Sequence, residues 1–213
     1  MDKSYWDSYY RLKGGVHYPT SFAETCLQSW IPRNSCILEL GSGNGRDAFY
    51  FAEHGHMVIG IDQCEFVTAQ NRQRAREWCK QDRLTFVSSD FTEFPLELQA
   101  TPTVVYSRFS MHTISKPQRE HVAEKIYELL PESGIFLIEC RSTRDPLLNE
   151  GRRLSDTETV TDHYRSFVDA NEFLALLLSV GYRPKFFVES NGLATFERDD
   201  PVVARYVVTK STG

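Results

Sequence analysis

The sequence predicts an α/β fold in which helices cover both faces of a parallel sheet. From Cys36 onward, short apolar segments alternate with longer amphipathic ones, which is the pattern of strands joined by helical crossovers. The first apolar segment also runs directly into Gly41, Gly43 and Gly45, as a buried strand does when it ends in a tight loop. With 213 residues, 41% of them hydrophobic, and no linker or repeat, we expect one domain, residues 1–213, around one core.

Short apolar runs predict strands, in chain order, at residues 36–40, 57–62, 84–89, 103–107 and 135–140. The last of these runs, IFLIEC, is apolar almost throughout, as a strand buried on both faces should be. Amphipathic segments predict helices at residues 46–55, 63–80, 116–130 and 169–182. Pro117 suits a first helical turn, and Gly55 stops the first of these helices. Two further apolar segments, residues 185–190 and 202–208, are predicted to close the fold as a hairpin.

Residues 141–167 interrupt this alternation with a polar stretch that has no clear periodicity. The stretch is too long for an ordinary connection in a compact domain, and loops of that length usually carry function. We therefore interpret it as an insert on the substrate side of a site.

Charge and composition argue against several classes of partner. The net charge of -5 gives no basic field for nucleic acid, and the one basic stripe, Arg72, Arg74 and Arg76, is typical of a solvated helix face. The five cysteines are scattered without CxxC or zinc spacing, which favours a reduced, cytoplasmic protein. No apolar stretch approaches the roughly 18 residues of a membrane span. We therefore expect a soluble protein, monomeric or homodimeric, without nucleic-acid or membrane partners.

The glycine loop indicates a ligand that approaches bare backbone at a strand end. Dinucleotides and S-adenosylmethionine are both bound in this way, next to the free N–H groups of the following helix. The spacing of Gly41, Gly43 and Gly45 departs from the dinucleotide pattern G-x-G-x-x-G. Glu39, just before the loop, would repel a pyrophosphate but can bind an ammonium group.

Carboxylates also stand at the ends of the next two predicted strands. Asp62 can accept both hydroxyls of a ribose, and Asp90 can accept the exocyclic amine of an adenine, with the ring of Phe91 beside it. For Asp90, the cap of a helix beginning at Thr92 is the alternative interpretation.

In combination, the runs ILELGSGNGRDAFYFAEHGHMVIGID, SSDF and YSRFS resemble the class I S-adenosylmethionine-dependent methyltransferases over about residues 34–140. The resemblance implies a Rossmann-like three-layer sandwich with a seven-stranded, mostly parallel sheet and an antiparallel last strand. It implies S-adenosylmethionine as the cofactor and S-adenosylhomocysteine as its product. The residues that it implies for the cofactor are Glu39, Gly41, Ser42, Gly43, Asp62 and Asp90, and we expect Arg46, Gln63, Phe91 and Ser107 beside them. Many small-molecule members also close an N-terminal segment over the cofactor, so residues 1–30 are expected to form a helical lid.

Catalytic groups are expected after the fourth strand, at the carboxyl edge of the sheet. Tyr106 and His112 are the candidates, and His112 is favoured as a base because imidazole titrates near neutral pH. The alternative for His112 is a helix-surface or capping histidine. The acidic residues of metal-dependent, catechol-type members are absent after this strand, so no metal is expected.

Substrate contacts are predicted from aromatic and basic side chains. Aromatic faces attract a sulfonium, and arginine forks suit carboxylate or phosphate. Solvated loop charges and plain packing of the N-terminal aromatic rings are the alternatives. The candidates are Tyr5, Tyr9, Arg108, Arg141, His163, Tyr164 and Arg165.

The sequence thus predicts a small-molecule methyltransferase, O-directed and acting on an anionic metabolite, natural-product intermediate or glycan phosphate. Oxygen is favoured because YSRF stands where many N-methyltransferases carry an Asn/Asp-Pro-Pro-Tyr motif. Three alternatives stay open: an enzyme that cleaves S-adenosylmethionine itself, releasing methylthioadenosine; a protein that binds the adenosyl ligand without turnover; and an NAD-dependent oxidoreductase, which the glycine spacing disfavours.

Overall fold

A seven-stranded sheet runs through the centre of the protein, with helices against both faces. The computed structural model describes residues 3–12, 18–78, 82–96 and 98–210. The strands of the sheet are β1 (Cys36–Leu40), β2 (Met57–Asp62), β3 (Leu84–Ser88), β4 (Val104–Arg108), β5 (Ile135–Arg141), β9 (Tyr182–Ser190) and β10 (Val203–Lys210), while β6 to β8 lie in the insert described below. The helices are α1 (Lys3–Leu12), α2 (Ser21–Ser29), α3 (Arg46–Glu53), α4 (Glu65–Glu77), α5 (Lys116–Leu129) and α6 (Ala170–Val180).

The strand order is β3-β2-β1-β4-β5-β10-β9. The first five strands pair in parallel, whereas β10 is antiparallel to both β5 and β9. The predicted fold class is therefore confirmed. Because the chain leaves β1 toward β2 on one side and β4 lies on the other, the order of the strands reverses at β1, which is where open α/β sheets bind ligands.

Alternating side chains of each strand enter two separate cores. Leu38, Ile59 and Val105 face α5 and α6, whereas Ile37 and Val58 face α2, α3 and α4. This alternation follows from the two-residue period of a strand, and it leaves every central strand buried on both faces. None of the described helices is both long and apolar enough to cross a membrane.

Several predicted boundaries differ from the observed ones by one to three residues, and two of these differences have a local cause. The helix predicted at residues 63–80 begins only at Glu65, because the carboxylate of Asp62 accepts the backbone N–H of Cys64 and holds it outside the helix. Its predicted last residues, 79 and 80, lie outside the described residues. The strand predicted from residue 185 begins at Tyr182, because Gly181 takes a left-handed conformation with φ of 113° and ends α6.

The insert is folded, contrary to the expectation of an irregular loop. It contains a short 3₁₀ helix (Pro146–Asn149) and a three-stranded antiparallel sheet of β6 (Arg152–Arg153), β7 (Glu158–Val160) and β8 (Tyr164–Ser166). Buried Arg119 of α5 ties this sheet to the core, since its guanidinium donates to the carbonyls of Met111 and Ser166. Strands of two or three residues are too short to give a periodic sequence signal.

A buried carboxylate joins the middle of the sheet to its edge. Glu139 of β5 is fully buried, and its two oxygens accept from Nε of Arg108, at 3.0 Å, and Nε of Arg205, at 2.7 Å. The guanidinium of Arg205 also donates to the carbonyl of Leu193 and to the hydroxyl of Ser21. A buried charge is tolerated when it is paired in this way, and the pairing fixes the positions of all its partners.

Glu139→Ala is expected to lower the free energy of unfolding by about 3–5 kcal/mol, because it leaves two buried guanidinium groups without their carboxylate. The matched control is Lys125→Ala, which breaks the exposed Lys125–Glu128 pair and should cost less than about 1 kcal/mol. Urea unfolding of both variants checks the difference. Equal losses in the free energy of unfolding would mean that the cluster of Glu139, Arg108 and Arg205 contributes no more to stability than an exposed ion pair.

Candidate functional site

A cavity of about 460 Å³ opens at the carboxyl edge of the sheet, where β1, β2, β4 and β5 end. Its walls are the glycine loop after β1, the segment after β4, helix α1, the β7–β8 turn and the β9–β10 loop. Fourteen of the nineteen predicted site residues line it: Tyr5, Tyr9, Glu39, Gly41, Ser42, Gly43, Arg46, Asp62, Gln63, Phe91, Arg108, Arg141, His163 and Arg165. The other five, Asp90, Tyr106, Ser107, His112 and Tyr164, do not.

The glycine loop is held by backbone hydrogen bonds and by one carboxylate. Gly41, Gly43 and Gly45 have φ of 72°, 51° and 76°, a conformation that side-chain-bearing residues rarely adopt. Oδ2 of Asp62 accepts the N–H of Gly43 at 2.9 Å, and Oδ1 accepts the N–H of Cys64 at 2.9 Å. Burial raises the pKa of Asp62, although these two hydrogen bonds oppose the shift. Asp62 therefore orders both the loop and the start of α4.

Two polar atoms beside the loop have no hydrogen-bond partner among the described residues. They are Oε2 of Glu39, whose residue is 5% exposed, and the buried Nε2 of Gln63. Burial raises the pKa of Glu39 well above its usual range, and the nearby carboxylate of Asp47 adds to the effect. A ligand that carries a cationic group and a hydrogen-bond acceptor would satisfy both atoms.

Helix α1 lies across the cavity and contacts both of its sides. On the loop side, the hydroxyl of Tyr10 sits against Gly43, and Asp7 accepts from Sγ of Cys64 at 2.7 Å. On the insert side, the hydroxyl of Tyr5 donates to Asp162, and the ring of Trp6 packs against His163. Residues 1, 2 and 13–17 of the predicted lid lie outside the described residues.

The predicted catalytic residue Tyr106 lies beneath the cavity. Its ring is fully buried between Phe22 and Phe51, and its hydroxyl donates to Oδ2 of Asp47 at 2.8 Å. Burial raises the pKa of Tyr106 well above its usual range. Asp47 itself lines the cavity and also accepts the N–H and hydroxyl of Thr20, at 2.8 and 2.9 Å.

His112 is also buried, and its ring points into the structure. Its Nδ1 accepts the backbone N–H of Arg141 at 3.2 Å, while the ring packs edge-on against Phe109. Burial lowers the pKa of His112 well below its usual range, and the charge of Arg141 adds to that effect. This geometry matches neither a helix-surface nor a helix-capping histidine, because the ring is buried and bound to the end of β5.

The remaining predicted residues outside the cavity make local contacts. Oδ1 of Asp90 accepts the N–H and the hydroxyl of Thr92, at 2.9 and 2.8 Å, and closes a turn where the alternative interpretation placed a helix cap. Ser107 is buried with its hydroxyl 2.6 Å from that of Ser110, and Tyr164 donates to Glu158.

Each of the three predicted anion-binding arginines is already paired with a carboxylate. Arg108 pairs with Glu139 as described above, and Nη1 of Arg165 lies 2.8 Å from Asp162. Arg141 donates to the buried Asp145 at 2.8 Å and, through Nη2, to Asp199, whose side chain is 53% exposed.

Sequence reasoning missed the tip of the β9–β10 loop. Phe196 and Asp199 exchange two backbone hydrogen bonds, of 2.8 and 2.9 Å, so the loop folds back and presents its tip to the cavity. Phe196 is 63% exposed there. The sequence contained this information. A hairpin whose second strand is the antiparallel last strand of the sheet has to turn at the carboxyl edge. Also missed were Asn44, Asp47, Phe109, Ser110, Thr113, Ala194 and Glu197.

Within the described residues, no group of three or more histidine, cysteine, aspartate or glutamate side chains is placed to hold a metal ion.

Comparison with known proteins identifies related sequences. A model of a methyltransferase domain matches residues 37–134. The carboxy-S-adenosyl-L-methionine synthase of Nautilia profundicola is 27% identical over 131 residues, which cover 61% of this chain and 52% of that protein. The chain therefore spans about half the length of that relative.

Solved structures share the fold over almost the whole chain. The CcbJ methyltransferase from Streptomyces caelestis matches with a TM-score of 0.74 and 18% identity over 100% of both chains. The 1,6-didemethyltoxoflavin-N1-methyltransferase of Burkholderia thailandensis, solved with 1,6-didemethyltoxoflavin and S-adenosylhomocysteine, matches with a TM-score of 0.69 and 18% identity, over 98% of this chain and 84% of that one. At these identities the likeness establishes a common fold.

Gly43→Ala is expected to weaken S-adenosylhomocysteine binding by about tenfold or more, because the added Cβ collides with the Tyr10 hydroxyl and distorts the loop. The matched control is Gly192→Ala, which also has a positive φ, of 74°, but open space around it. Both changes should cost about 1–2 kcal/mol of stability through backbone strain. Isothermal titration calorimetry separates them, and equal affinities would argue against a ligand at this loop.

Proposed function

We propose that this chain, of which residues 37–134 match a methyltransferase-domain model, transfers the methyl group of S-adenosylmethionine to a small molecule held in the cavity. The observation that carries this proposal is the unpaired Oε2 of Glu39 beside the glycine loop. A buried carboxylate oxygen without a donor is costly, and the ammonium group of the cofactor's methionine end is the cation that it fits.

The rest of the loop wall suits the same ligand. Asp62 keeps further lone pairs for the ribose hydroxyls, the amide of Gln63 can donate to a ring or hydroxyl acceptor, and Phe91 offers a face for adenine. Arg46, at the first position of α3, can bind the cofactor's carboxylate. Asp90 and Ser107 stay predictions as cofactor contacts.

When bound, S-adenosylmethionine supplies an electrophilic methyl group on a sulfonium. The residues of this chain then have to hold the acceptor in line with that methyl and keep water out. Helix α1 is suited to both tasks, since Tyr5, Trp6, Tyr9 and Tyr10 line the cavity opposite the loop. Their rings also favour a sulfonium by cation–π attraction.

We propose an anionic acceptor that is methylated on oxygen, with Arg141 as its main contact. The buried Asp145 holds one edge of this guanidinium, whereas the exposed Asp199 holds the other. A carboxylate or phosphate on the acceptor can replace Asp199 without uncovering a buried charge. Arg108 pairs with the fully buried Glu139, and Asp162, the partner of Arg165, also accepts hydrogen bonds from Tyr5 and Thr161. These two arginines serve as supporting charges.

A second candidate is chemistry on S-adenosylmethionine itself. The similarity to a protein named carboxy-S-adenosyl-L-methionine synthase favours it. In that case the cavity would hold the cofactor and any small co-reactant, with no methyl acceptor.

Mass spectrometry of S-adenosylmethionine, incubated with the protein alone and with a fractionated metabolite extract, separates these functions. We expect S-adenosylhomocysteine only when extract is present. Methylthioadenosine without extract would contradict methyl transfer, and binding with no conversion under any condition would indicate a sensor. Glu39→Gln should lower the conversion, while Glu53→Gln, on the exposed end of α3, should leave it unchanged.

Arg141→Lys is expected to raise the KM of the acceptor by about tenfold with a smaller effect on kcat, because an ammonium group cannot replace the planar fork. Lysine keeps the charge beside buried Asp145, so the fold is retained. The control is Arg152→Lys in the exposed strand β6 of the same insert. Identical KM values for the two variants would remove Arg141 from the acceptor site.

A further inference from the structure

His163 lies in the cavity wall, at the turn between β7 and β8, and its imidazole is held on three sides. The ring of Tyr5 lies 4.3 Å away and that of Trp6 4.9 Å away, measured between ring centroids. The Nδ1 atom lies 3.2 Å from Oδ1 of Asp162. The residue is only 5% exposed, so this packing holds the ring in one orientation.

Asp162 is ionised throughout the working pH range. Burial alone would raise the pKa of this carboxyl, but hydrogen bonds from Tyr5, Thr161 and Arg165 outweigh burial and bring the pKa well below its usual range. A carboxylate this close to the ring stabilises the imidazolium that forms when the ring is protonated.

The charged and titratable groups around the imidazole come from four elements. Asp162 and Arg165 belong to the β7–β8 hairpin, Tyr5 to α1 and buried His112 to the segment after β4, and Arg141 at the end of β5 lines the same cavity. The two arginines oppose protonation, but each is bound to a carboxylate. His112 is kept neutral by its burial. Among these groups, Asp162 is therefore the one whose charge acts most directly on the imidazole.

We propose that His163, oriented by Asp162, is the general base that takes the proton from the methyl acceptor. This inference rests on the proposed function. The acceptor's oxygen forms a bond to the methyl carbon as the carbon–sulfur bond breaks, and the sulfur keeps that electron pair. The proton of the acceptor passes to the imidazole of His163, and the imidazolium later releases it to solvent. No other reactant is consumed.

The same role does not suit the other histidine near the site. His112 does not line the cavity, and its Nδ1 already accepts the N–H of Arg141. We therefore assign His112 to positioning the end of β5 and His163 to proton transfer.

The test compares His163→Gln, which keeps a polar atom near Nε2 but cannot accept a proton, with His112→Asn, whose Oδ1 can still accept the N–H of Arg141. The readout is the initial rate of S-adenosylhomocysteine formation from S-adenosylmethionine and the metabolite extract, between pH 5.5 and 9. The rates of the wild type and of His112→Asn should both rise with pH and reach a plateau. The rate of His163→Gln should be about 10²–10⁴-fold lower than that of the wild type and should no longer increase with pH. This variant should still bind S-adenosylhomocysteine as tightly as the wild type.

A histidine NMR titration gives a readout that needs no acceptor. The Cε1–H signal that disappears in His163→Gln should titrate in the wild type, and Asp162→Asn should move its midpoint to lower pH, because the variant lacks the carboxylate that stabilises the imidazolium. A wild-type rate in His163→Gln, or a His163 signal that does not titrate, would overturn the proposal. Failure of the proposed function looks different, because the wild type itself would then form no S-adenosylhomocysteine with extract.

Discussion

The acceptor side of the cavity depends on the buried carboxylate of Glu139. Because an uncompensated charge inside the sheet is prohibitive, Arg108 and Arg205 must converge on it. Arg108 then lies 4.1 Å over the ring of Phe109 and fixes this cavity residue at the end of β4. Arg205 reaches the carbonyl of Leu193 and anchors the loop whose tip forms the opposite rim. One ionised group in β5 thus sets the spacing between two walls that are about 85 residues apart in the chain.

The wall proposed for the cofactor is held by a different kind of interaction. The glycine loop is shaped by backbone conformation and by N–H groups that bind Ile61 and Asp62, so its form depends little on the side chains around it. The wall proposed for the acceptor is instead built from paired charges and aromatic rings.

The same division decides how much could be predicted from the sequence. The strands were predictable because each is a run of consecutive apolar residues. The glycine loop and Asp62 were predictable because each stands at the end of such a run. The start of α4 at Glu65 was not predictable, because the carboxylate of Asp62 binds the N–H of Cys64 while its other oxygen binds the distant Gly43. The strands of the insert were not predictable either, because they are too short to show a period. His112 follows β4 as expected, but its ring turns toward a backbone N–H that lies 29 residues further along the chain. Such contacts have no local signature.

Helix α1 has a kinetic consequence. It contacts the glycine loop through Tyr10 and the insert through Tyr5, so one element covers both halves of the cavity. In the proposed methyltransferase, the cofactor and the acceptor would both lie next to this helix. A lid of this kind would make the rate at which α1 detaches an upper limit on the number of catalytic cycles per second, however fast methyl transfer is.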